Sequence, residues 1–202
     1  MAKKNDKQTV SAARYATAAD FKQIFTEDLN SLYLLSLLLT GDPESAEKCF
    51  VEGIGESTKG NRVFKDWARS WARRTIVQSA IRLIGPRKSS VTAPRTIDIA
   101  QVRDKIPIVL QEEVGAILEL APLERFVFVM SVLERFSDHD CSILLGCARR
   151  DLATVRTRAM QRLVMLLGLQ HNGAVVTGPE SVIELVIAQQ FANSAWNRSL
   201  SR

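Results

Sequence analysis

The strongest chemical signal in this 202-residue sequence is a set of polar and basic side chains around position 155. Helical spacing places four of them on one face: Thr154, Thr157, Arg158 and Gln161. Four more arginines flank that face: Arg149, Arg150, Arg156 and Arg162. Long donors in the N-terminal half of a helix suit contacts with phosphates and with base edges. The pattern therefore predicts a DNA-binding helix.

A second basic set lies earlier in the chain. A helix predicted over 62–84 carries a narrow stripe formed by Arg62, Lys65, Arg69 and Arg73. Four charges of one sign at this spacing favour phosphate contact, and the alternative is an ordinary solvated face. Three aromatic residues fall on the opposite side, where we expect them to pack in the core: Phe64, Trp67 and Trp71.

The elements that would carry these side chains are helical. Apolar residues repeat at steps of three or four, and no alternating pattern predicts a strand. The first helix is predicted over 18–39. Gly41 suits its left-handed C-terminus, while Asp42 suits the N-cap and Pro43 the first turn of a second helix. A loop is predicted at 55–61, before the helix that carries the basic stripe.

The second half of the chain has its own helical signals. Short helices are predicted over 109–120 and from Pro122 onwards. Ser137 and Asp140 resemble a capping box, which begins a helix that Gly146 ends. A turn is predicted at 147–150, and the last helix is predicted from about Asp151. A short helix, a turn and a longer helix with a polar outer face form the helix-turn-helix pattern.

Composition divides the chain into segments. A run rich in proline and serine from Gly85 onwards is typical of a linker. We predict a disordered N-terminus at 1–17, a helical domain at 18–85, a linker at 86–107, a helix-turn-helix domain at 108–168 and a C-terminal extension at 169–202. The predicted fold is all-α, with two small helical bundles and a helical tail. The tail can fold back onto the domains or dock a partner in a groove.

Charge is distributed unevenly along the chain. The formal net charge of +5 is too small an excess to name a partner. Residues 20–58 contain two basic side chains, Lys22 and Lys48, against eight acidic ones, whereas residues 61–95 contain nine basic side chains and a single acidic one, Asp66. An acidic segment followed by a basic one predicts different surfaces for different partners.

Other classes of protein find little support. The cysteines at positions 49, 141 and 147 form no metal motif, and they predict reduced thiols in the cytoplasm. The apolar run Leu32–Leu39 is too short to cross a membrane. His139 lies between two acidic residues, but nothing completes a metal site or a catalytic dyad around it. We therefore predict no enzyme, no cofactor and no metal.

Several segments match the pattern of one known family. They are Leu38–Glu47 (leucines, Thr-Gly-Asp-Pro-Glu and Ala-Glu), Trp67 with Ala72-Arg73, Leu123-Glu124-Arg125, Leu133-Glu134, Ser137, Leu144-Leu145-Gly146 and Thr154-Val155-Arg156-Thr157-Arg158. Together they resemble regions two and four of the small bacterial sigma factors of the extracytoplasmic-function type. The resemblance covers about Phe21 to Leu167.

This resemblance implies promoter recognition and transcription initiation together with core RNA polymerase. The basic stripe would then contact the upstream edge of the melted promoter, and the face from Thr154 to Arg162 would enter the major groove further upstream. Core polymerase and promoter DNA are the implied partners, and an anti-sigma factor is a further one. No membrane span and no cofactor are implied.

The sequence departs from the family where polymerase would bind. The implied polymerase-contacting residues are Glu44, Glu47, Lys48 and Val51. The family pattern continues Ala-Glu-Asp-x-x-Gln, so Lys48 replaces the acid and Val51 the amide. The turn before Thr154 is two residues longer than the family's. Two alternatives stay open: a sigma-derived DNA-binding regulator that no longer binds polymerase, and a protein-interaction module.

Overall fold

The computed structural model describes residues 14–59, 62–86 and 111–167, and it is all-α in these ranges. The predicted fold class is thereby confirmed. The helices are α1 Ala18–Glu27, α2 Leu29–Thr40, α3 Pro43–Thr58, α4 Ala68–Ile84, α5 Gln111–Leu118, α6 Pro122–Phe128, α7 Asp138–Leu145 and α8 Arg149–Leu166. The predicted linker, apart from Pro86, and the C-terminal extension lie outside the described residues.

The stretch predicted as one helix over 18–39 is two helices. A capping box begins α1: the N–H of Asp20 reaches the Thr17 hydroxyl at 3.3 Å, and the Asp20 carboxylate accepts from the Thr17 N–H at 2.7 Å. The break falls at Asp28 (φ −99°, ψ 18°). Because each half buries its own apolar face, periodicity alone did not reveal the break. Leu29, the first residue of α2, is half-exposed.

The junction between α2 and α3 follows the sequence signals. Gly41 has a φ of 88°, a left-handed conformation that suits a residue without Cβ. The carboxylate of Asp42 accepts the N–H of Ser45 at 2.8 Å, and Pro43 is the first residue of α3. The helix then continues to Thr58, so the loop predicted from residue 55 is wrong over its first four residues. Ser57 explains this extension, since its hydroxyl bonds the Gly53 carbonyl at 2.8 Å and the Thr75 hydroxyl of α4 at 2.7 Å.

The helix predicted from Arg62 begins six residues later, at Ala68. A 3₁₀ turn at Lys65–Trp67 precedes it. The backbone before this turn pairs with the segment ahead of α1: the N–H of Ala16 donates to the Val63 carbonyl at 2.8 Å, and the rings of Tyr15 and Phe64 stack with centroids 4.9 Å apart. Residues 14–17 therefore pack against the protein, although they belong to the start predicted as disordered.

In the second half of the chain, α6 passes directly into a π-helical turn, Val129–Leu133. Glu134 ends this turn, and its N–H donates to the Val129 carbonyl at 2.9 Å. Arg135 then adopts a φ of 55°. The predicted cap of α7 is present, with the Asp140 N–H 3.1 Å from the Ser137 hydroxyl. Gly146 ends α7 with a φ of 63°.

A buried arginine connects the two halves. The guanidinium of Arg125 donates to the carbonyl of Thr40 at 3.2 Å and to that of Leu118 at 3.1 Å. These carbonyls belong to the last residues of α2 and α5, where the helix dipole favours a positive charge. Burial lowers the pKa of Arg125 to about 10. One arginine thus stabilises two helix C-termini, one from each predicted domain.

Candidate nucleic-acid interface

The outer face of α8 presents the polar residues that its spacing predicts. Thr154, Arg158 and Gln161 are exposed, and together with Thr157 they line a shallow groove of about 340 Å³. The opposite face of the helix buries Leu152, Ala159, Met160 and Leu163. The core therefore fixes the rotation of α8 about its axis, and that rotation turns the donors outward.

The two arginines at the start of α8 are also exposed. The structure begins this helix at Arg149, so the turn predicted at 147–150 is shorter than expected. Ala148, at the N-cap, offers no side-chain cap. Basic residues at a helix N-terminus oppose the dipole, so Arg149 and Arg150 do not stabilise α8 there. A nearby phosphate would neutralise both the arginines and the uncapped N–H groups.

Two of the predicted donors turn towards the protein. Arg156 forms an ion pair with Asp138 of α7, and its side chain is only 19% exposed. The Thr157 hydroxyl donates to the Ala153 carbonyl at 3.0 Å, although the residue still lines the groove. The structure therefore brings Thr154, Arg158 and Gln161 together on one surface and leaves Arg156 aside.

A buried carboxylate lies beneath the arginines of this face. Glu124 belongs to α6, and its side chain is 7% exposed. Its carboxylate lies 3.0 Å from Nη1 of Arg162 and 4.0 Å from Nε of Arg158. The sequence resemblance included Glu124 without giving it a role, because nothing in the chain's linear order connects it with residues 34 and 38 positions later.

The basic stripe before and along α4 is paired with acidic residues. Lys65 lies 3.3 Å from Asp20, and Arg69 bonds both Glu27 and Asp28. The hydrogen bond that Arg69 donates to the Asp28 carboxylate is the main reason that the pKa of Arg69 is raised. Arg73 pairs with Glu134, and Arg62 lies 6.0 Å from the Tyr15 ring. The acidic partners come from α1, from its junction with α2 and from the end of the π-helical turn, so the stripe is not a bare cationic surface.

One of the three aromatic residues near the stripe differs from expectation, whereas Trp71 is partly buried against the core. Trp67, predicted to pack in the core, is 65% exposed, because the 3₁₀ turn changes its direction from that of a regular helix. Trp67 and Phe64 meet edge to face at 5.6 Å. Together with Trp71 they line an open cleft of about 830 Å³, whose other wall includes Arg135 and Phe136. An exposed tryptophan beside arginines is a surface on which unpaired bases can stack.

The residues implied for polymerase contact lie on one surface of α3. Glu44, Glu47, Lys48 and Val51 are all exposed. Lys48 and Glu44 form an ion pair at 2.7 Å, and this contact raises the pKa of Lys48. Val51 exposes 61% of an apolar residue to solvent. The opposite side of α3 buries Ala46, Cys49 and Gly53 against the core.

Metal and membrane sites receive no support from the described ranges. Within 14–59, 62–86 and 111–167, no three His, Cys, Asp or Glu side chains converge as metal ligands would. No helix in this part of the chain has the length and apolar character needed to cross a bilayer.

Comparison with known proteins gives a family relationship at low identity. The chain is 27% identical over 171 residues to the ECF RNA polymerase sigma factor SigM of two Mycobacterium tuberculosis strains, ATCC 35801 / TMC 107 / Erdman and ATCC 25618 / H37Rv. The alignment covers 81% of this chain and 83% of each relative. The chain is a divergent relative of the extracytoplasmic-function sigma factors. No family model and no solved structure matches it.

The similarity to sigma factors allows the differences from their sequence pattern in α3 and α8 to be located in the structure. Lys48 and Val51 are surface residues, so replacing the family's acid and amide changes an exposed surface and leaves the core intact. At α8, the turn after Gly146 contains only Cys147 and Ala148. The additional residues before Thr154 are helical and place Thr154 in the second turn of α8. Relative to the sigma-factor pattern, Arg149 and Arg150 thus occupy the leading end of the helix.

Proposed function

We propose that the chain acts in the cytoplasm as a sigma subunit, which recognises promoter DNA and initiates transcription with core RNA polymerase. The α7–α8 pair would act as the helix-turn-helix, and the outer face of α8 would enter the major groove. The observation that carries this proposal is the exposed polar face of α8, formed by Thr154, Arg158 and Gln161, in a chain related to sigma factors along most of its length.

The proposed mechanism involves no covalent chemistry. Arg149, Arg150 and Arg162 would neutralise phosphates and release counterions, which gives affinity without sequence preference. Arg158, Thr154 and Gln161 would contact base edges, and these contacts give specificity. Replacing Arg158 by alanine is expected to cost about 1–3 kcal/mol at one base position if it reads a guanine.

The stripe of Arg62, Lys65, Arg69 and Arg73 is the proposed second DNA surface. Three of these cations have acidic partners within the protein, so DNA phosphates would compete with those partners. Trp67, exposed next to the stripe, joins this proposed surface as a stacking residue. An anti-sigma factor would be a protein that covers one of these surfaces.

The alternative is a sigma-derived DNA-binding regulator without polymerase contact, and the exposed Lys48 and Val51 favour it. We would co-purify the tagged chain with core RNA polymerase, beside the double variant Lys48→Asp, Val51→Gln. If the wild-type chain retains polymerase, the sigma function is supported. If only the variant retains it, or if neither does, the wild-type chain is not a sigma subunit, and salt-dependent DNA binding would then identify it as the regulator.

The third candidate is a protein-interaction module, and the salt dependence of DNA affinity distinguishes it from the other two. Affinity that comes from phosphate contacts falls steeply as salt concentration rises, with a slope that reports the number of neutralised phosphates. A chain that shows no salt-dependent DNA binding, alone or with polymerase, would be a protein-interaction module.

A further inference from the structure

Glu124 is placed to orient the arginines of the proposed recognition helix. It lies on α6, outside the helix that would enter the groove, and its side chain is almost completely buried. Both of its carboxylate oxygens point at α8: Oε2 lies 3.0 Å from Nη1 of Arg162, and Oε1 lies 4.0 Å from Nε of Arg158. One carboxylate thus serves two arginines that are separated by a single helical turn.

Burial makes these contacts obligatory. A buried carboxylate without a charged partner is strongly disfavoured, whereas the two arginines can reach solvent easily, with side-chain exposures of 46% and 64%. Loss of the contacts would therefore cost more free energy at the buried carboxylate of Glu124 than at the two exposed guanidinium groups. The folded protein therefore retains the hydrogen bond from Arg162, and the buried charge attracts the Arg158 guanidinium across 4.0 Å without a hydrogen bond. Both guanidinium groups are thus biased towards Glu124 before any ligand arrives.

The geometry at Arg158 leaves its recognition edge available. Contact with Glu124 is through Nε, so the donors on the two terminal nitrogens remain for a second acceptor. Bidentate donation from an arginine is the commonest way to read the O6 and N7 atoms of guanine. Thr154 and Gln161 line the same groove as Arg158 and would flank such a base.

We infer that Glu124 is a positioning and specificity-determining residue: it holds Arg162 by a hydrogen bond and orients Arg158 by charge attraction so that Arg158 reads one base pair, although Glu124 itself does not contact DNA. This inference rests on the proposed DNA-binding function. Its physical basis is that a long side chain oriented in advance loses less entropy on binding, and a wrong base then gains less from rearrangement of the side chain.

The test compares Glu124→Gln with Glu119→Gln in the full-length chain, alone and with core RNA polymerase. Both variants remove one negative charge. Because Glu119 is exposed, Glu119→Gln is the control for the change in net charge. The probe is a library of DNA duplexes with a randomised central region, and sequencing of the bound fraction gives base preference at each position. Thermal unfolding of each variant measures its folding separately.

We expect the Glu124→Gln variant to lose preference at one base position by about 3- to 10-fold, while its affinity for a scrambled duplex stays equal to or above that of wild type. The same position should lose preference in Arg158→Ala. Because the two residues act together, the double variant should be no worse than Arg158→Ala alone. Glu119→Gln should keep the wild-type preference.

Other outcomes overturn the inference. A Glu124→Gln variant with wild-type preference at every position, or with equal losses at all positions, would mean that Glu124 only stabilises the fold. Additive losses in the double variant would mean that Arg158 does not depend on it. If the wild-type chain itself enriches no sequence in either setting, the proposed function fails, and this inference fails with it.

Discussion

Arg73 and Glu134 form a two-point ion pair between α4 and the end of the π-helical turn that follows α6. Glu134 is almost fully buried, with 3% of its side chain exposed, and Arg73 is 20% exposed and also donates to the Ser31 hydroxyl at 3.0 Å. The residues are 61 positions apart. The pair thus connects the two helical parts predicted from the sequence, and it engages a cation that the stripe hypothesis assigns to DNA.

Breaking this pair on one side should destabilise the protein. Arg73→Ala leaves the Glu134 carboxylate buried without its partner, which typically costs about 3–5 kcal/mol. Urea-induced unfolding would measure the free energy of unfolding. Arg69→Ala is the matched control on the same helix. Arg69 and Glu27 are both nearly half exposed, and Asp28, its second partner, is 17% exposed, against 3% for Glu134. Because exposed pairs contribute little, the control should lose less stability than Arg73→Ala.

The double variant Arg73→Met, Glu134→Met distinguishes the charge from the packing. Because a buried pair can be replaced by apolar side chains of similar size at little cost, it should recover most of the stability that Arg73→Ala loses. If Arg73→Ala and Arg69→Ala reduce the free energy of unfolding equally, the burial of Glu134 in the structure would be contradicted.

Gly53 and Gly55 give a second matched comparison within α3. A Cβ added at Gly53 would lie 2.4 Å from Cδ1 of the buried Ile76 of α4, whereas one added at Gly55 meets nothing within 4 Å. Gly53→Ala should therefore destabilise the fold by about 1–3 kcal/mol through overpacking. Gly55→Ala should stabilise it by up to about 1 kcal/mol, since alanine favours helix. Thermal melts would measure both effects. A change of the same sign in the melting temperatures of the two variants would be evidence against this packing.

The cysteines should differ in reactivity. Burial raises the pKa of Cys49 to about 12 and that of Cys141 to about 11, so both remain protonated thiols at pH 8. Cys147, in the turn before α8, is only partly buried. With a thiol-specific reagent at pH 8, we expect Cys147 to react first and the other two to react only as the protein opens. Rapid labelling of Cys49 or Cys141, read by mass spectrometry, would be inconsistent with the structure.

The same shifts predict alkaline sensitivity. Because the folded state keeps both thiols protonated above the ordinary cysteine pKa of 9.0, their contribution to stability is complete below pH 9. It declines as the pH rises towards 11 and 12. Replacing Cys49 by alanine should reduce the pH dependence of the melting temperature between pH 9 and 11. If the slope of melting temperature against pH is unchanged in this variant, another group causes the alkaline loss of stability.

The acidic partners of the stripe can be tested by removing one of them. Glu27→Gln takes one carboxylate from Arg69, so the affinity for a non-specific DNA duplex should rise by about twofold or more at low salt. Glu52→Gln, which removes an exposed charge from α3, is the control for net charge. If both variants bind DNA with the same affinity, the stripe is an ordinary solvated surface.

Four features could be predicted from the sequence alone: the helical class, the junction at Gly41-Asp42-Pro43, the cap at Ser137 and the outward face of α8. These features depend on contacts within a few residues, where backbone geometry and helical period act alone. Helical periodicity could not distinguish one regular helix from a broken one. The break at Asp28 and the 3₁₀ turn that exposes Trp67 were therefore not predicted.

The partners of the charged side chains could not be predicted in this way, because they depend on how the helices pack. Arg69 meets Glu27 and Asp28, Arg73 meets Glu134, and Arg158 approaches Glu124 because helices distant in sequence pack together. Helical periodicity places a side chain on a face, but it carries no information about the element that covers the face. The partner of a charge depends on packing, and packing depends on the apolar residues of every helix at once.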